Sequence, residues 1–326
     1  MENIIEIKNL TKTFKVKHKE GGLYGSFKSI FLPIFKEVKA INSISFNIKK
    51  GEIVGFIGPN GAGKSTTIKI LSGILHPTSG EVNVLKIVPW KNRKKLSYKI
   101  GCVFGQKPQL WYHLPSIDTF NLLSKIYELD KKEYEKRMNY LVDLFEVRNF
   151  INVPVRKLSL GQRMRCEIIA SLLHSPEILF LDEPTIGLDI VAKQKIRELI
   201  SELNKKEKIT ILLTSHDIQD IERLCKRIII INHGKIIYDG FLDRLEKGYL
   251  KNKIIKVKFS SLFKGLSNKG IKIIKAEEQE ATFEVNTDII SIKRFIDTLI
   301  NKYEIVDIDI SAPPIEEIIS KIFQEK

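Results

Sequence analysis

Nine consecutive residues, Gly58-Pro59-Asn60-Gly61-Ala62-Gly63-Lys64-Ser65-Thr66, carry the spacing G-x-x-x-x-G-K-[ST]. Glycines at those positions let backbone N–H groups turn inward around phosphate oxygens. The lysine and hydroxyl that close such a loop meet the terminal phosphates of a nucleotide and its Mg²⁺ ion. Lys64 is therefore expected at the β and γ phosphates and Ser65 on the ion, with the rest of Gly58 to Thr67 around the nucleotide. A second candidate is Ile178-Leu179-Phe180-Leu181-Asp182-Glu183, an apolar run ending in two carboxylates. Asp182 at a strand end suits a Mg²⁺ ion held through water, and Glu183 suits a base that accepts a proton from attacking water. Such pairs also begin ordinary solvated turns. The pair gains weight from lying about 120 residues downstream of the phosphate loop.

These groups need elements to hold them. A phosphate loop of this kind works between a strand and a helix. The apolar run Ile53 to Ile57 supplies the strand, and Ile68, Leu71 and Leu75, spaced three and four apart, supply the helix. Lys50-Gly51-Glu52 reads as a turn. Ile178 to Leu181, Ile209 to Leu213 and Ile228 to Ile231 read as buried strands, the last followed by a hairpin at Asn232-His233-Gly234. Ile4 to Leu10 alternates like an edge strand, and Ala40 to Phe46 alternates as well. Residues 118–150 read as helix-rich. Around Gly248 the texture changes. Strands at 254–259, 271–276, 281–286 and 303–309, with helices at 289–301 and 314–324, read as a small α+β domain.

The 326 residues suggest about two domains. With 43% hydrophobic and 29% charged residues, the chain reads as soluble and globular, not disordered. No stretch approaches ~18 consecutive apolar residues, so a membrane-spanning helix is not expected. The N-terminus lacks the basic region of a secretory leader. Cys102, Cys166 and Cys225 lie too far apart for a disulfide framework or a zinc pair, which fits a reducing compartment. The net charge is +15 and unevenly placed. Residues 1–50 hold ten Lys and four Glu, and Val82 to Ile117 holds six Lys and one Arg with no acid. This pattern fits either an anionic partner (nucleotide, nucleic acid or lipid headgroup) or a lysine-rich solvated face.

Between the two chemical segments lies Leu158-Ser159-Leu160-Gly161-Gln162, ahead of a helical pattern from Arg163 to His174. It resembles the signature of ATP-binding cassette proteins. Gln106 in Val-Phe-Gly-Gln is similar to that family's Q-loop glutamine. Pro184 to Asp189 resembles its D-loop, and His216 in Thr-Ser-His its switch histidine. Phe14 falls where the family stacks an aromatic ring on adenine, with plain core as the alternative. The marks follow the family's order over about residues 1–245. The resemblance implies a P-loop NTPase fold, with a RecA-like core, a β-subdomain and a helical subdomain at about 107–170. The cassette would span 1–247 and an accessory α+β domain 248–326.

The resemblance also implies ATP and Mg²⁺ as ligands and a second cassette, expected as a homodimer. ATP would lie between the phosphate loop of one copy and the signature of the other, contacting Ser159, Gly161 and Gln162 in trans, near the D-loop Asp189. Ser65, Asp182 and Gln106 would serve the metal, and Glu183, His216 and Gln106 the hydrolysis. Two departures stand out: Leu160 replaces the usual signature glycine, and Phe14 the commoner tyrosine. Residues 15–39 form a basic insertion. Phe27, Ile30, Phe31, Ile34 and Phe35 in it share one helical face, which suits either a membrane-facing element or a hairpin on the cassette's own sheet. Val-Phe-Gly-Gln, the signature variant and the closing Pro-Pro-Ile-Glu-Glu-Ile-Ile are similar to ATPase subunits of type-2 bacterial exporters. That finer likeness implies separate membrane permeases, a place on the cytoplasmic membrane face, and no nucleic-acid partner. An importer ATPase and a cassette acting on ribosomes or nucleic acid are the rival readings.

Overall fold

The computed structural model describes residues 2–18, 34–105, 108–249, 252–266, 268–311 and 315–324. Its first strands are β1 (Asn3–His18) and β2 (Ile34–Lys49), which pair antiparallel. After β3 (Ile53–Ile57) and α1 (Lys64–Leu71), strand β4 (Ser79–Val84) joins the free side of β1, giving the order β2-β1-β4. β1 is therefore the middle of this sheet and not the edge that its alternation suggests. Its second row of backbone groups is met by β4, whose Ser-Gly-Glu-Val-Asn-Val sequence carries little strand signal. Beyond Thr11, β1 and β2 run on as a two-stranded ribbon to the pair His18 and Ile34. Ile34 and Phe35 thus lie in a strand, and the helical spacing expected for 27–35 does not hold there. Phe27, Ile30 and Phe31 lie outside the described residues.

The chain continues through α2 (Arg93–Ser97), β5 (Ile100–Phe104), α3 (Ser116–Ile126), α4 (Lys131–Leu144) and α5 (Leu160–Leu172). Then follow β6 (Ile178–Asp182), α6 (Ile190–Glu207), β7 (Thr210–Ser215), α7 (Ile218–Leu224), β8 (Arg227–Asn232) and β9 (Lys235–Phe241). Six strands form one sheet in the order β5-β6-β7-β3-β8-β9. The pairings from β5 through β8 are parallel. Helices cover parallel strands on both faces, so these strands read as unbroken apolar runs. β9 joins through a tight turn in which His233 and Gly234 both take positive φ. Register places Ile57 beside Ser215, and Asp182 beside both Phe104 and Thr214. The ends of β3, β5, β6 and β7 therefore reach one rim, where open parallel sheets place their ligands.

Ser159 fixes the start of α5. Its Oγ accepts from the Gln162 amide at 3.2 Å, and the Gln162 side chain accepts from the Ser159 amide at 2.9 Å. This reciprocal cap starts the helix at Leu160, ahead of the expected Arg163. Arg137 of α4 forms a two-pronged pair with Glu207 at the end of α6, at 2.7 and 2.8 Å.

A second unit begins at Phe241. It contains α8 (Leu242–Tyr249), β10 (Asn252–Phe259), β11 (Ile271–Ala276), β12 (Glu280–Asn286), α9 (Ile292–Ile300), β13 (Ile305–Ser311) and α10 (Ile315–Gln324). The change of composition at Gly248 marks this division late, because α8 packs with α10 and so belongs to the second unit. The sheet is antiparallel, in the order β11-β12-β10-β13. Ile255, Val257, Phe283 and Val285 on one face pack with Phe295 and Leu299 of α9. On the other face, Lys258 stands opposite Asp307 and Glu280, and Lys256 opposite Asp309. Among the described residues, no helix is long and apolar enough to cross a membrane.

Candidate functional site

The loop between β3 and α1 wraps one side of a cavity of about 300 Å³. Pro59 to Thr66 line it, together with Lys69, Phe104, Gly105, Asp182 and Glu183. Backbone geometry explains the loop's composition. Gly63 has φ +111°, and a Cβ there would stand 2.5 Å from the Ala40 carbonyl oxygen, so only glycine fits. Lys64 is 5% exposed, and its ammonium donates to Gly58 O at 2.6 Å and Pro59 O at 3.3 Å. It also lies 3.7 Å from Glu183 Oε1. The cradle thus sets a cation and the N-terminus of α1 on one concave surface, an arrangement suited to phosphate.

The facing wall is the end of β6. Thr214 of β7 donates to Asp182 Oδ1 at 2.6 Å and accepts from the Glu183 amide at 3.1 Å. Glu183 has φ +54°, a conformation that costs energy for a residue with a side chain. The Glu183 amide also reaches Thr214 O at 3.1 Å, which holds the bend. Gly105 allows β5 to approach: its amide donates to Asp182 O at 2.9 Å, and a Cβ there would stand 2.5 Å from Glu183 O. His216 lies just past β7 with Nδ1 3.2 Å from Glu183 Oε2. One carboxylate is therefore shared between a lysine and an imidazole at the rim of the phosphate cradle, an arrangement that can activate water beside a phosphate.

The sequence relatives agree with this geometry. Residues 41–186 match the family model for ABC transporters. The protein NatA of Bacillus subtilis, an ABC transporter ATP-binding protein, is 33% identical over 71% of this chain and 94% of its own length. The chain belongs to the ABC transporter family. The family match and the likeness to a hydrolysis-state cassette make it an ATPase. The bacitracin transport ATP-binding protein BcrA of Bacillus licheniformis is 32% identical over 88% of this chain and 84% of that protein. The methionine import ATP-binding protein MetN 1 of Oenococcus oeni is 31% identical over 73% and 64%. The solved dimeric cassette MJ0796, in a post-hydrolysis state with ADP and Pi, superposes with a TM-score of 0.60 at 29% identity, covering 73% of this chain and 98% of that one.

Within this ABC cassette, the expected site residues fall into three groups. Pro59 to Thr66, Asp182 and Glu183 share the cavity, and His216 reaches it through Glu183. Gly58 and Thr67 stand behind it: Gly58 offers its carbonyl to Lys64, and Thr67 is fully buried with its hydroxyl donating to Gly63 O at 2.9 Å. The third group lies elsewhere. Phe14 is not among the cavity's lining residues; it sits half-buried on β1 opposite Val38, with the Lys12 ammonium 5.1 Å from its ring centroid. Ser159, Gly161 and Gln162 open α5, and Asp189 caps α6 by accepting from the Ala192 amide at 2.8 Å. Signature and D-loop meet in the single chain, since a Cβ on Gly161 would press the Ala192 Cβ at 2.9 Å and Leu160 Cδ2 covers Gly187. Gln106 lies outside the described residues.

Sequence reasoning missed two residues. Thr214 is a buried hydroxyl directly after the apolar run Ile211 to Leu213, in register with Asp182, and that position was its available signal. Glu167 of α5 is 4% exposed and accepts the backbone amides of Gln109, at 2.9 and 3.2 Å, and of Leu110. Burial pushes its carboxyl above the usual range while those amides pull the other way. The signature helix thereby grips the segment that follows Gln106. The cysteines are free, and burial pushes Cys102 up to about 12 and Cys166 to about 11, so neither is a ready nucleophile.

Proposed function

We propose that this chain is the ATP-hydrolysing subunit of a membrane exporter, working as a cassette dimer on separate permease polypeptides. The observation that carries the catalytic part is the meeting of Lys64, Ser65, Asp182 and Glu183 in one cavity with His216 on the Glu183 carboxylate. Lys64 and the loop amides bind the β and γ phosphates. Glu183 accepts the proton of the attacking water, and His216 orients it, with the second ring nitrogen left for a phosphate oxygen. Ser65 and Asp182 offer hard oxygen donors from facing walls of the same cavity, which fits Mg²⁺, an ion that takes few protein ligands and completes its shell with phosphates and water. When bound, the ion neutralises charge on the β and γ phosphates. Gln106 is proposed as a further ligand.

The signature supports a head-to-tail dimer. Ser159, Gly161 and Gln162 are held 100 residues along the chain from the phosphate loop, on a capped helix start that suits an anion. The Ser159 hydroxyl accepts within its cap, so its proton remains to donate across an interface. MJ0796 is described as a dimer, and this supports the same assembly here. Export is supported by the extent of likeness. The BcrA alignment spans 288 residues, more than the 240 of the first unit, and so runs into the second. The MetN alignment covers 73% of this chain, against 88% for BcrA.

The test is an affinity pull-down of the tagged full chain from detergent-solubilised native membranes. Recovery of one or two polytopic proteins is expected. Co-purification of a substrate-binding protein would turn the reading to import, and recovery of ribosomes or nucleic acid without a membrane protein would overturn it.

A further inference from the structure

Behind the Glu183–His216 pair lies a buried ionic cluster that phosphate chemistry does not use directly. Asp220 of α7 is fully buried. Its Oδ1 receives Arg197 Nε of α6 at 2.5 Å. Its Oδ2 receives Ser215 Oγ at 2.8 Å and the Thr185 hydroxyl. Arg197 is itself 4% exposed, and its Nη2 lies 3.4 Å from Asp217 Oδ2. Lys193 reaches the same Asp217 oxygen at 2.6 Å. The Asp217 amide donates back to Ser215 Oγ at 2.9 Å. Two cations and two carboxylates balance one another, and each buried charge has a partner.

The placement of these partners along the chain is the informative point. Thr185 follows Glu183 by two residues. Ser215 and Asp217 flank His216 on either side. A single carboxylate, Asp220, therefore anchors both segments that carry the reacting pair, and Arg197 ties that anchor to the helix that begins at the D-loop. Glu183 sits in a strained left-handed conformation, which persists only where its surroundings over-determine it. A buried ion pair is weak evidence for net stability, whereas removing one partner leaves an uncompensated buried charge.

We propose that Asp220 and Arg197 are positioning residues for hydrolysis: through Thr185 and Ser215 they hold Glu183 and His216 in register with each other. None of the cluster's residues lines the cavity, so it acts on turnover and not on nucleotide binding.

The test uses the full-length chain, with kcat and KM for ATP measured beside nucleotide affinity and melting temperature. Asp220→Asn keeps the side-chain shape and removes the charge. It should lower kcat at least tenfold while KM changes less than twofold. Thr185→Val, which leaves the Arg197–Asp220 pair intact, should lower kcat in the same way, and Thr185→Ser should restore it. In a His216→Ala background, Thr185→Val should cost less than it does alone, because the two act on one geometry. If Asp220→Asn fails to fold, the Thr185 pair decides. Wild-type kcat in Thr185→Val, or a loss that Thr185→Ser does not restore, would overturn the proposal.

Discussion

The two larger sheets of this molecule solve opposite problems. The parallel strands from β5 through β8 are buried on both faces, and they are mostly apolar until their last residues. Their polar groups are pushed to one rim, where Asp182, Glu183, Thr214 and His216 meet the phosphate loop. The antiparallel sheet of the second unit buries one face and gives the other to alternating charges, Lys256 and Lys258 against Asp307, Asp309 and Glu280. Its polar groups are spread out and mutually neutralised. Ligand chemistry concentrates where burial leaves polar side chains only one exit.

Perturbation should separate the two sheets sharply. Glu183→Gln at the rim should reduce hydrolysis by about 10²–10⁴-fold, on the order of 3–5 kcal/mol of transition-state stabilisation, with ATP still bound and the melting temperature unchanged. Single-turnover kinetics and a nucleotide titration would check it, and loss of binding would remove Glu183 from the catalytic role. Phe283→Ala, a full burial in the small sheet, should cost about 3–5 kcal/mol of that unit's stability. Nucleotide affinity of the full chain should stay within about twofold. Calorimetry beside the same titration would reveal any closer dependence of one unit on the other.

His174 gives a pH-dependent contrast within the first unit. Its ring stacks on Tyr127 with centroids 4.0 Å apart, and Nε2 meets Ile100 O at 3.0 Å. Burial lowers its pKa to about 4. The folded form therefore binds the proton less readily than the unfolded chain, whose value is near 6.5. The stability this neutral ring permits is fully present above pH 6.5, and falls by up to about 3 kcal/mol as pH drops towards 4. Denaturant titrations at stepped pH should show that loss in the wild type and a shallower one in His174→Gln. The smallest effect belongs to the charged face. A double-mutant cycle on Lys258 and Asp307 should give about 0.2–1 kcal/mol, reduced by salt.

The residues at the rim were the most legible part of the sequence. The phosphate loop needs a glycine spacing that few other structures demand, and β6 and β7 announce themselves as apolar runs. The small domain was also readable, because a half-buried antiparallel sheet alternates visibly, and its helix began at Ile292 and not at 289 because Ser291 caps it. Less could be read where pairing and not side-chain pattern decides. β4 and β9 lie at sheet margins with mixed polarity, and β1 looked like an edge because its second partner was invisible. Leu160 and the rest of the signature could be named but not placed, since only folding brings Leu160 against Gly187 and Gly161 against Ala192. The buried cluster on Asp220 was unreadable, because its members are ordinary polar residues that only folding brings together.

The segment between β5 and α3 is nailed at two points. The Gly105 amide is fixed to Asp182 O at 2.9 Å, and the Gln109 amide to the Glu167 carboxylate at the same distance. Only residues 106–108 lie between the nails. Short, stiff loops do not follow the gentle length penalty of long ones. One inserted or deleted residue must pull a strand end or a buried carboxylate out of place. The number of residues there is therefore held fixed, so a relative with a longer span should also have lost Gly105 or Glu167.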